Sequence, residues 1–299
     1  MKVIIPVAGH GTRLRPHTDK RQKCLLPVAG KPVIDHILEP LIEQGFDEIV
    51  LVTGYLEEQL KAHVSEFDAQ FTFAFQQEPL GLGHAVFQGL EESEEPALIQ
   101  LGDVIFDLDF QQFCRPDSHR IAVNEVPNPE RFGIVEVEGD RIVNVLEKPE
   151  NPPSNLAMIG LYFLSSQRPL WNVVKHLMDN EITTGGEIQL ADALQLMVEN
   201  GETVTTEYIS EWHDCGVPET FLEANRALLK PSNKTIEGST LVEPVHIGEN
   251  CEIVNSTVGP NVTVMDSARI IDSHVSESIV LWNAVFKDKI LENQLVEEG

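Results

Sequence analysis

The sequence predicts an α/β fold with a mostly parallel sheet, followed by a short parallel β-helix. Three observations predict it. Short β-branched runs alternate with amphipathic stretches over residues 1–101, an order that sets parallel strands beneath covering helices. From about Ile121 to Leu164 the pattern turns strand-rich. Beyond Pro231-Ser232-Asn233, aliphatic residues recur at a fixed interval that fits neither a helix nor a hairpin.

In order along the chain, strands are expected at Val3–Val7, Glu48–Thr53, Phe71–Gln76 and Ala97–Leu101, with helices at Pro32–Gln44, Leu56–Ser65 and His84–Leu90 between them. Pro32 suits a first helical turn, where its missing N–H costs nothing. In such a sheet, ligands bind in loops at the carboxyl ends of the strands. The strand-rich segment supplies Phe132–Val137, Ile142–Leu146 and Ala157–Leu164, separated by Gly139-Asp140 and the turn at Pro149–Asn155. It reads as a sheet extension covering one side of a pocket. Helices at Leu190–Glu199 and Thr220–Leu229 bracket a last strand at Thr203–Tyr208.

Past the boundary, Ile236, Leu241, Ile247, Ile253, Val258, Val264, Ile270 and Val275 fall in steps of five or six, and three steps make 17. Short strands turning a corner at that interval build a parallel β-helix coil of about three faces, with the aliphatics stacked inward. Two domains are therefore expected, residues 1–230 and 231–299. So short a solenoid packs against its own domain or a sister subunit more readily than it forms a catalytic groove, and a homo-oligomer is expected.

Lys and Arg number 21 against 48 Asp and Glu, a formal charge of −27. This balance argues against nucleic acid or an anionic membrane as a partner, since both are held by Lys and Arg. The charge is uneven, however. Residues 1–31 carry Lys2, Arg13, Arg15, Lys20, Arg21, Lys23 and Lys31 against Asp19 alone, a cationic segment suited to a small polyanion. Cys24, Cys114, Cys215 and Cys251 show no metal-ligand spacing. Widely spaced thiols, no signal-peptide pattern and no apolar run approaching the roughly 18 residues of a membrane helix lead to a cytoplasmic expectation.

After the first strand, Gly9-His10-Gly11-Thr12-Arg13-Leu14 is neither a dinucleotide fingerprint nor a P-loop. Its glycines still allow a tight bend that offers backbone N–H groups to phosphate oxygens, with Arg13, Arg15 and Lys23 as cations nearby. Leu101-Gly102-Asp103 ends a buried-strand candidate, where a carboxylate is out of place unless it binds something.

The run Pro6-Val7-Ala8-Gly9-His10-Gly11-Thr12-Arg13-Leu14-Arg15-Pro16, with Lys23, Leu25-Leu26-Pro27-Val28 and Lys31-Pro32, resembles the signature of sugar-1-phosphate nucleotidylyltransferases. It is most similar to the glucose-1-phosphate thymidylyl- and uridylyltransferases, with further matches to about residue 230. The resemblance implies a Rossmann-like sheet of the nucleotide-diphospho-sugar transferase type, and a C-terminal hexapeptide-repeat β-helix of left-handed coil. It assigns Gly9, Gly11 and Arg13 to the triphosphate, with Lys23 as a further phosphate contact. The family usually has Pro before that lysine, and here Gln22 stands there.

Gln76-Gln77-Glu78-Pro79-Leu80-Gly81-Leu82-Gly83-His84-Ala85 resembles the family's base-reading loop. A glutamine amide donates and accepts, which suits uracil or thymine. Gln76 takes the role beside the Gly81 backbone, with Gln77 as the neighbouring alternative. Asp103 resembles the first metal ligand and also faces the nucleotide. Trp212-His213-Asp214-Cys215-Gly216-Val217-Pro218-Glu219 resembles the segment carrying the second, Asp214. Two hard oxygen ligands imply Mg²⁺ rather than zinc. Phe132-Gly133-Ile134-Val135, Leu146-Glu147-Lys148-Pro149 and Ser154-Asn155 resemble the sugar-binding segments, with Gly133, Glu147 and Asn155 toward the sugar and Lys148 gripping its phosphate.

The implied reaction is in-line attack by a sugar 1-phosphate oxygen on the α-phosphorus of dTTP or UTP, with glucose 1-phosphate the expected sugar. Arg13, Lys23 and Lys148 would offset the charge, and no protein nucleophile is needed. Two alternatives remain: a mannose-1-phosphate guanylyltransferase, or a regulatory subunit that binds nucleotide sugar without turnover.

Overall fold

The structure is a computed structural model that describes residues 1–297. Nine strands form the main sheet: β1 (Lys2–Pro6), β2 (Glu48–Thr53), β3 (Gln70–Phe75), β4 (Ala97–Gln100), β5 (His119–Glu125), β6 (Gly133–Glu138), β7 (Arg141–Glu147), β8 (Leu156–Leu164) and β9 (Val204–Tyr208). Their order is β3-β2-β1-β4-β8-β5-β9-β7-β6, with β8 also meeting β6. The helices of eight or more residues are α1 (Val33–Glu43), α2 (Glu57–Val64), α3 (Leu82–Gly89), α4 (Arg168–Asp179), α5 (Leu190–Glu199) and α6 (Pro218–Leu228).

The first four strands pair parallel, Val3 opposite Ile49 and Leu98, and Ile49 opposite Phe71. Val3, Ile4 and Ile5 are fully buried, as a central strand covered on both faces requires. Beyond β4 the sheet becomes mixed. β8 runs antiparallel to β4, β5 and β6, and β7 to β6 and β9. The strand-rich segment lacks the crossover helices that parallel pairing needs. Parallel pairing returns only at β9 against β5, after α4 and α5 have intervened. Helix α4 lies outside the sequence expectations. Its buried Leu170, Val173, Val174 and Leu177 follow the helical period, and Pro169 sits in its first turn.

The repeat region stacks as three parallel sheets. One holds Thr240–Leu241, Thr257–Val258, His274–Ser276 and Ile290–Glu292; the second holds Val245–Ile247, Val262–Val264, Ile279–Val280 and Leu295–Val296; the third holds Glu252–Val254, Arg269–Ile271 and Val285–Lys287. Leu241, Val258, Val275 and Leu291 lie in register, as do Ile253, Ile270 and Phe286. The 17-residue interval therefore shortens to 16 in the last coil. Ile236 packs against this core from outside the strands. The corners at Asn250, Asn255, Asn261, Ser267, Asp272, Glu277, Asn283, Asp288 and Asn293 all have positive φ. Asn and Asp tolerate that conformation better than other side chains do.

The chain gathers into two compact units. The first comprises Met1–Gly9 and Ile37–Trp212 and contains the nine-stranded sheet. The second comprises His10–His36 and the chain from His213 onward, and contains the coil stack. Within the second, Asn225 of α6 is 1% exposed. Its Oδ1 accepts from the Ala29 amide at 2.9 Å and the Thr263 hydroxyl at 2.6 Å, and its Nδ2 donates to the Asn261 carbonyl at 3.2 Å.

Candidate functional site

In the first unit, Gln76 follows β3 at the carboxyl end of a strand, its amide donating to the Thr53 carbonyl at 2.8 Å. Its side chain is buried. Gln76 Nε2 donates to the Gly81 carbonyl at 3.3 Å and lies 2.9 Å from His84 Nδ1. Gly81 cannot donate through its carbonyl, so this geometry fixes which way the amide faces. His84 is the member of this group that sequence reasoning missed. Burial lowers its pKa, against a smaller opposing effect of Glu78, which favours the neutral ring; in the tautomer with its proton on Nε2, Nδ1 accepts from Gln76. The signal was there: His84 lies eight residues from Gln76, at the start of α3, within the recognised loop.

A strap holds the loop from outside. Thr184 bridges Glu187 through Gly185 and Gly186, both at positive φ. Ile188 then donates to the Leu80 carbonyl at 2.7 Å and accepts from the Gly83 amide at 2.9 Å. Gly81 has φ 109° and ψ 174°, a region open essentially to glycine alone. A Cβ there would stand 2.6 Å from the Ile188 carbonyl oxygen. The strap segment was also missed, because backbone hydrogen bonds leave no residue-type signature.

The expected sugar-side residues cluster in the same unit. The β6–β7 register sets Glu147 opposite Gly133, and a Cβ on Gly133 would meet Met158 Cε at 2.4 Å and the Glu147 carboxylate at 3.4 Å. Glycine thus keeps the strand face open beside that carboxylate. Lys148 takes a positive φ just past β7, donates its amide to the Phe132 carbonyl at 3.1 Å, and pairs its Nζ with Glu147 Oε1 at 2.7 Å. Its ammonium is half exposed, while Glu147 is mostly covered. Asn155 is exposed before β8, its carbonyl accepting from the Val126 amide.

Asp103 follows Gly102, whose amide donates to the Pro6 carbonyl at 3.3 Å and whose missing Cβ leaves room for Val7. Burial pushes the Tyr162 phenol of β8 well up, and the carboxylates of Glu147 and Asp103 push it further. Two acids from separate segments therefore act on one buried hydroxyl. Gly9 ends the unit's first segment with open space where a Cβ would point.

In the second unit the loop after β1 is tightly closed. Gly11 has φ 62°, and its carbonyl accepts from the buried Thr18 hydroxyl at 2.8 Å. A Cβ on Gly11 would lie 2.9 Å from Thr18 Cγ2 and 3.0 Å from Lys23 Cβ, so the glycine and the lysine are neighbours. Arg13 is exposed in a short 3₁₀ turn, Thr12–Leu14, anchored by buried Leu14. Gln22 is buried and accepts from the Cys24 thiol at 3.5 Å. The amide thus occupies the place where the family usually has proline.

Asp214 is held in the same unit. Its Oδ1 accepts from the Gly216 amide at 2.8 Å and its Oδ2 from the Thr220 hydroxyl at 3.1 Å. Donors on both oxygens hold the carboxylate in one orientation and fix the direction of its remaining lone pairs. Among the described residues, no three His, Cys, Asp or Glu side chains gather as a metal cage. None of the four cysteines is in a disulfide, and no described helix is long and apolar enough to cross a membrane.

A nucleotidyl transferase family model matches residues 2–231. A bifunctional protein GlmU from Methanococcus maripaludis is 35% identical over 256 residues, covering 81% of this chain and 60% of that protein. The chain thus spans about 60% of the length of the GlmU relatives it matches. A glucose-1-phosphate thymidylyltransferase from Streptomyces griseus is 31% identical over 321 residues, covering 95% of this chain and 88% of the relative. Among solved structures, a provisionally named glucose-1-phosphate thymidylyltransferase from Bacillus anthracis, in complex with sucrose, superposes with a TM-score of 0.66 at 27% identity. The match covers 79% of this chain and 98% of that one. UDP-glucose pyrophosphorylase complexed with UDP-glucose gives 0.64 at 26%, covering 76% and 97%.

Proposed function

The chain belongs to the nucleotidyl transferase family, and from that membership we propose that it joins a sugar 1-phosphate to a nucleoside triphosphate, releasing pyrophosphate and a nucleotide sugar. Glucose 1-phosphate with dTTP or UTP is the preferred pair. One observation narrows the choice of base. Gln76 spends its amide hydrogens on Gly81 and His84, which leaves Oε1 to accept. An acceptor there suits the N3–H of uracil or thymine, as it would the N1–H of guanine, and rejects adenine and cytosine, whose corresponding ring nitrogens also accept; relatives named for thymidylyl transfer and UDP-glucose favour the pyrimidines over guanine. Relatives named for glucose 1-phosphate and UDP-glucose support the sugar.

The reaction must bring two anions together, and unit charges about 4 Å apart repel by about 1 kcal/mol in water and more in a drier site. In this reading Gly9, Gly11, Arg13 and Lys23 hold the triphosphate, Arg13 offsetting charge on the leaving pyrophosphate. Gly133, Glu147 and Asn155 hold sugar hydroxyls. Lys148 leaves its ion pair with Glu147 to grip the sugar phosphate, freeing the carboxylate to accept from the sugar. The attacking phosphate oxygen is already ionised at neutral pH, so no general base is required.

Asp103 and Asp214 are proposed as the Mg²⁺ ligands. The donor type of each residue suits that ion, which is usually held by few protein carboxylates with phosphate and water oxygens completing its shell. When bound, Mg²⁺ would supply Lewis-acid charge neutralisation at the phosphates. The functional division is proposed at residues 1–230 and 231–299, with a cytoplasmic location. Exposed Ile290, Val285 and Val254 on the coil stack support self-association into a homo-oligomer.

A matrix of triphosphates against sugar 1-phosphates, read as pyrophosphate release, tests the proposal. Release should be fastest with dTTP or UTP and glucose 1-phosphate. A preference for GTP with mannose 1-phosphate would replace the substrate assignment, and no release with any pair would replace turnover with a binding role.

A further inference from the structure

The cationic loop at residues 10–23 is fastened at a point the proposed reaction does not use. Arg21 stands two residues before Lys23, with its guanidinium carbon 4.0 Å from the centroid of the Trp282 ring. Trp282 lies in a corner of the coil stack, between the strands Ile279–Val280 and Val285–Lys287. Glu297, just past the last strand, is close enough to raise the pKa of Arg21 against the lowering by burial. It also approaches His17 Nδ1 at 3.5 Å. His17 precedes Thr18, whose hydroxyl closes the loop on Gly11. The last two turns of the stack therefore touch the loop on both sides of its closure, and all of these residues belong to one compact unit.

The chemistry of these contacts matters. A guanidinium on an indole face, with a carboxylate near, has its charge already answered inside the protein. Arg21 is thus an anchor, whereas Arg13 is exposed. Holding a flexible segment in its bound form raises affinity by lowering the ordering cost of binding.

We propose that the last two turns of the C-terminal stack form a positioning element for the triphosphate loop, acting through Trp282 on Arg21 and through Glu297 on Arg21 and His17. These turns would set the affinity for the triphosphate without touching either substrate. This rests on the reading of residues 10–23 as the triphosphate loop.

Steady-state kinetics on the full chain test it, with Trp282→Ala, Trp282→Phe and Glu297→Gln beside the unaltered protein. Trp282→Ala should raise the triphosphate KM about fivefold, the scale of one partly desolvated cation–π contact. The sugar 1-phosphate KM and kcat should stay within about twofold. Trp282→Phe, which keeps a ring under Arg21, should restore most of the loss, and Glu297→Gln should give a smaller rise of the same kind. Hydrogen exchange across residues 10–23 should quicken about fivefold in Trp282→Ala and not in Trp282→Phe. If both substrates' KM values rise together while the melting temperature falls, Trp282 is only structural and the inference is overturned. It is likewise overturned by an unchanged triphosphate KM, or by unchanged exchange in the loop. Absence of turnover in the unaltered protein would sink the functional reading instead, and the exchange measurement would still judge the anchor.

Discussion

Replacing Gly81 by alanine should damage stability and triphosphate binding together, and the structure sets the scale of both. At φ 109° and ψ 174°, a residue with a Cβ costs about 1–3 kcal/mol in backbone strain. The new carbon would also stand 2.6 Å from the Ile188 carbonyl and 2.9 Å from Glu187 Cβ, an overlap that costs a further ~1–3 kcal/mol to relieve. The sum, about 2–6 kcal/mol, corresponds to a melting temperature lower by about 5–20 °C. Relief of the overlap moves the loop by close to an ångström, and the Gly81 carbonyl is a hydrogen-bond partner of Gln76. Misplacement on that scale costs up to about 100-fold in rate, so the triphosphate KM should rise at least about tenfold. Gly139→Ala provides the comparison: φ is 68° there and nothing lies within 4 Å of the added carbon, so only about 1–2 kcal/mol is expected. Differential scanning calorimetry and triphosphate KM measurements on both variants decide the matter. If Gly81→Ala is no less stable than Gly139→Ala, or binds triphosphate normally, the strap does not hold the loop as described.

Asp103→Asn should remove Mg²⁺-dependent pyrophosphate release while circular dichroism stays native; retained activity would withdraw the metal assignment. Lys148→Ala should lower kcat/KM for the sugar 1-phosphate about 10–100-fold, the scale of a hydrogen bond to a charged group, with triphosphate KM little altered. The opposite pattern would mean the two phosphate sites are exchanged. The pKa of His84 is lowered by burial, so its neutral form contributes stability that is fully present above about pH 6.5 and is lost as pH falls through its lower folded value. Protonation there turns Nδ1 into a donor facing the Gln76 amide, so the triphosphate KM should climb on the acid side more steeply than in His84→Gln. Superimposable profiles would remove His84 from the loop's support. Asn225→Ala strands partners at Ala29, Thr263 and Asn261 and should cost about 2–4 kcal/mol in chemical denaturation; a loss below about 1 kcal/mol would show that water replaces the side chain.

The parallel half of the sheet was legible because a strand covered on both faces reads as an unbroken apolar run, as at Val3, Ile4 and Ile5. The coil was legible because its geometry spaces Leu241, Val258 and Val275 at one interval. The mixed half was less so, since strand direction is set by what connects the strands rather than by their residues. Helix α4 carried its period and was still passed over between stronger signals. At the candidate site, Gln76, Gly133, Glu147 and Lys148 were singled out by ordered resemblance, and the structure adds neighbours that the resemblance leaves unnamed: His84 beside Gln76, Met158 beside Gly133 and the Phe132 carbonyl on the Lys148 amide. His84 was quoted but given no role, because a ring is recognised as a partner only when its nitrogen is seen 2.9 Å from an amide. The Leu80–Ile188 strap and the Arg21–Trp282 contact join residues far apart in the chain, and nothing in local sequence announces such pairs.

The amide of Ala29 is bonded to a side chain 196 residues later, and this separation shapes how the protein is made. At a synthesis rate of about 5–20 residues per second, the nascent segment waits about 10–40 s for Asn225 to emerge, and longer for the ring that covers Arg21. During translation the sheet strands that follow it can dock while this stretch still lacks its partners. Emergence of Asn225, not docking of the sheet strands, thus completes the contact that holds the Ala29 amide.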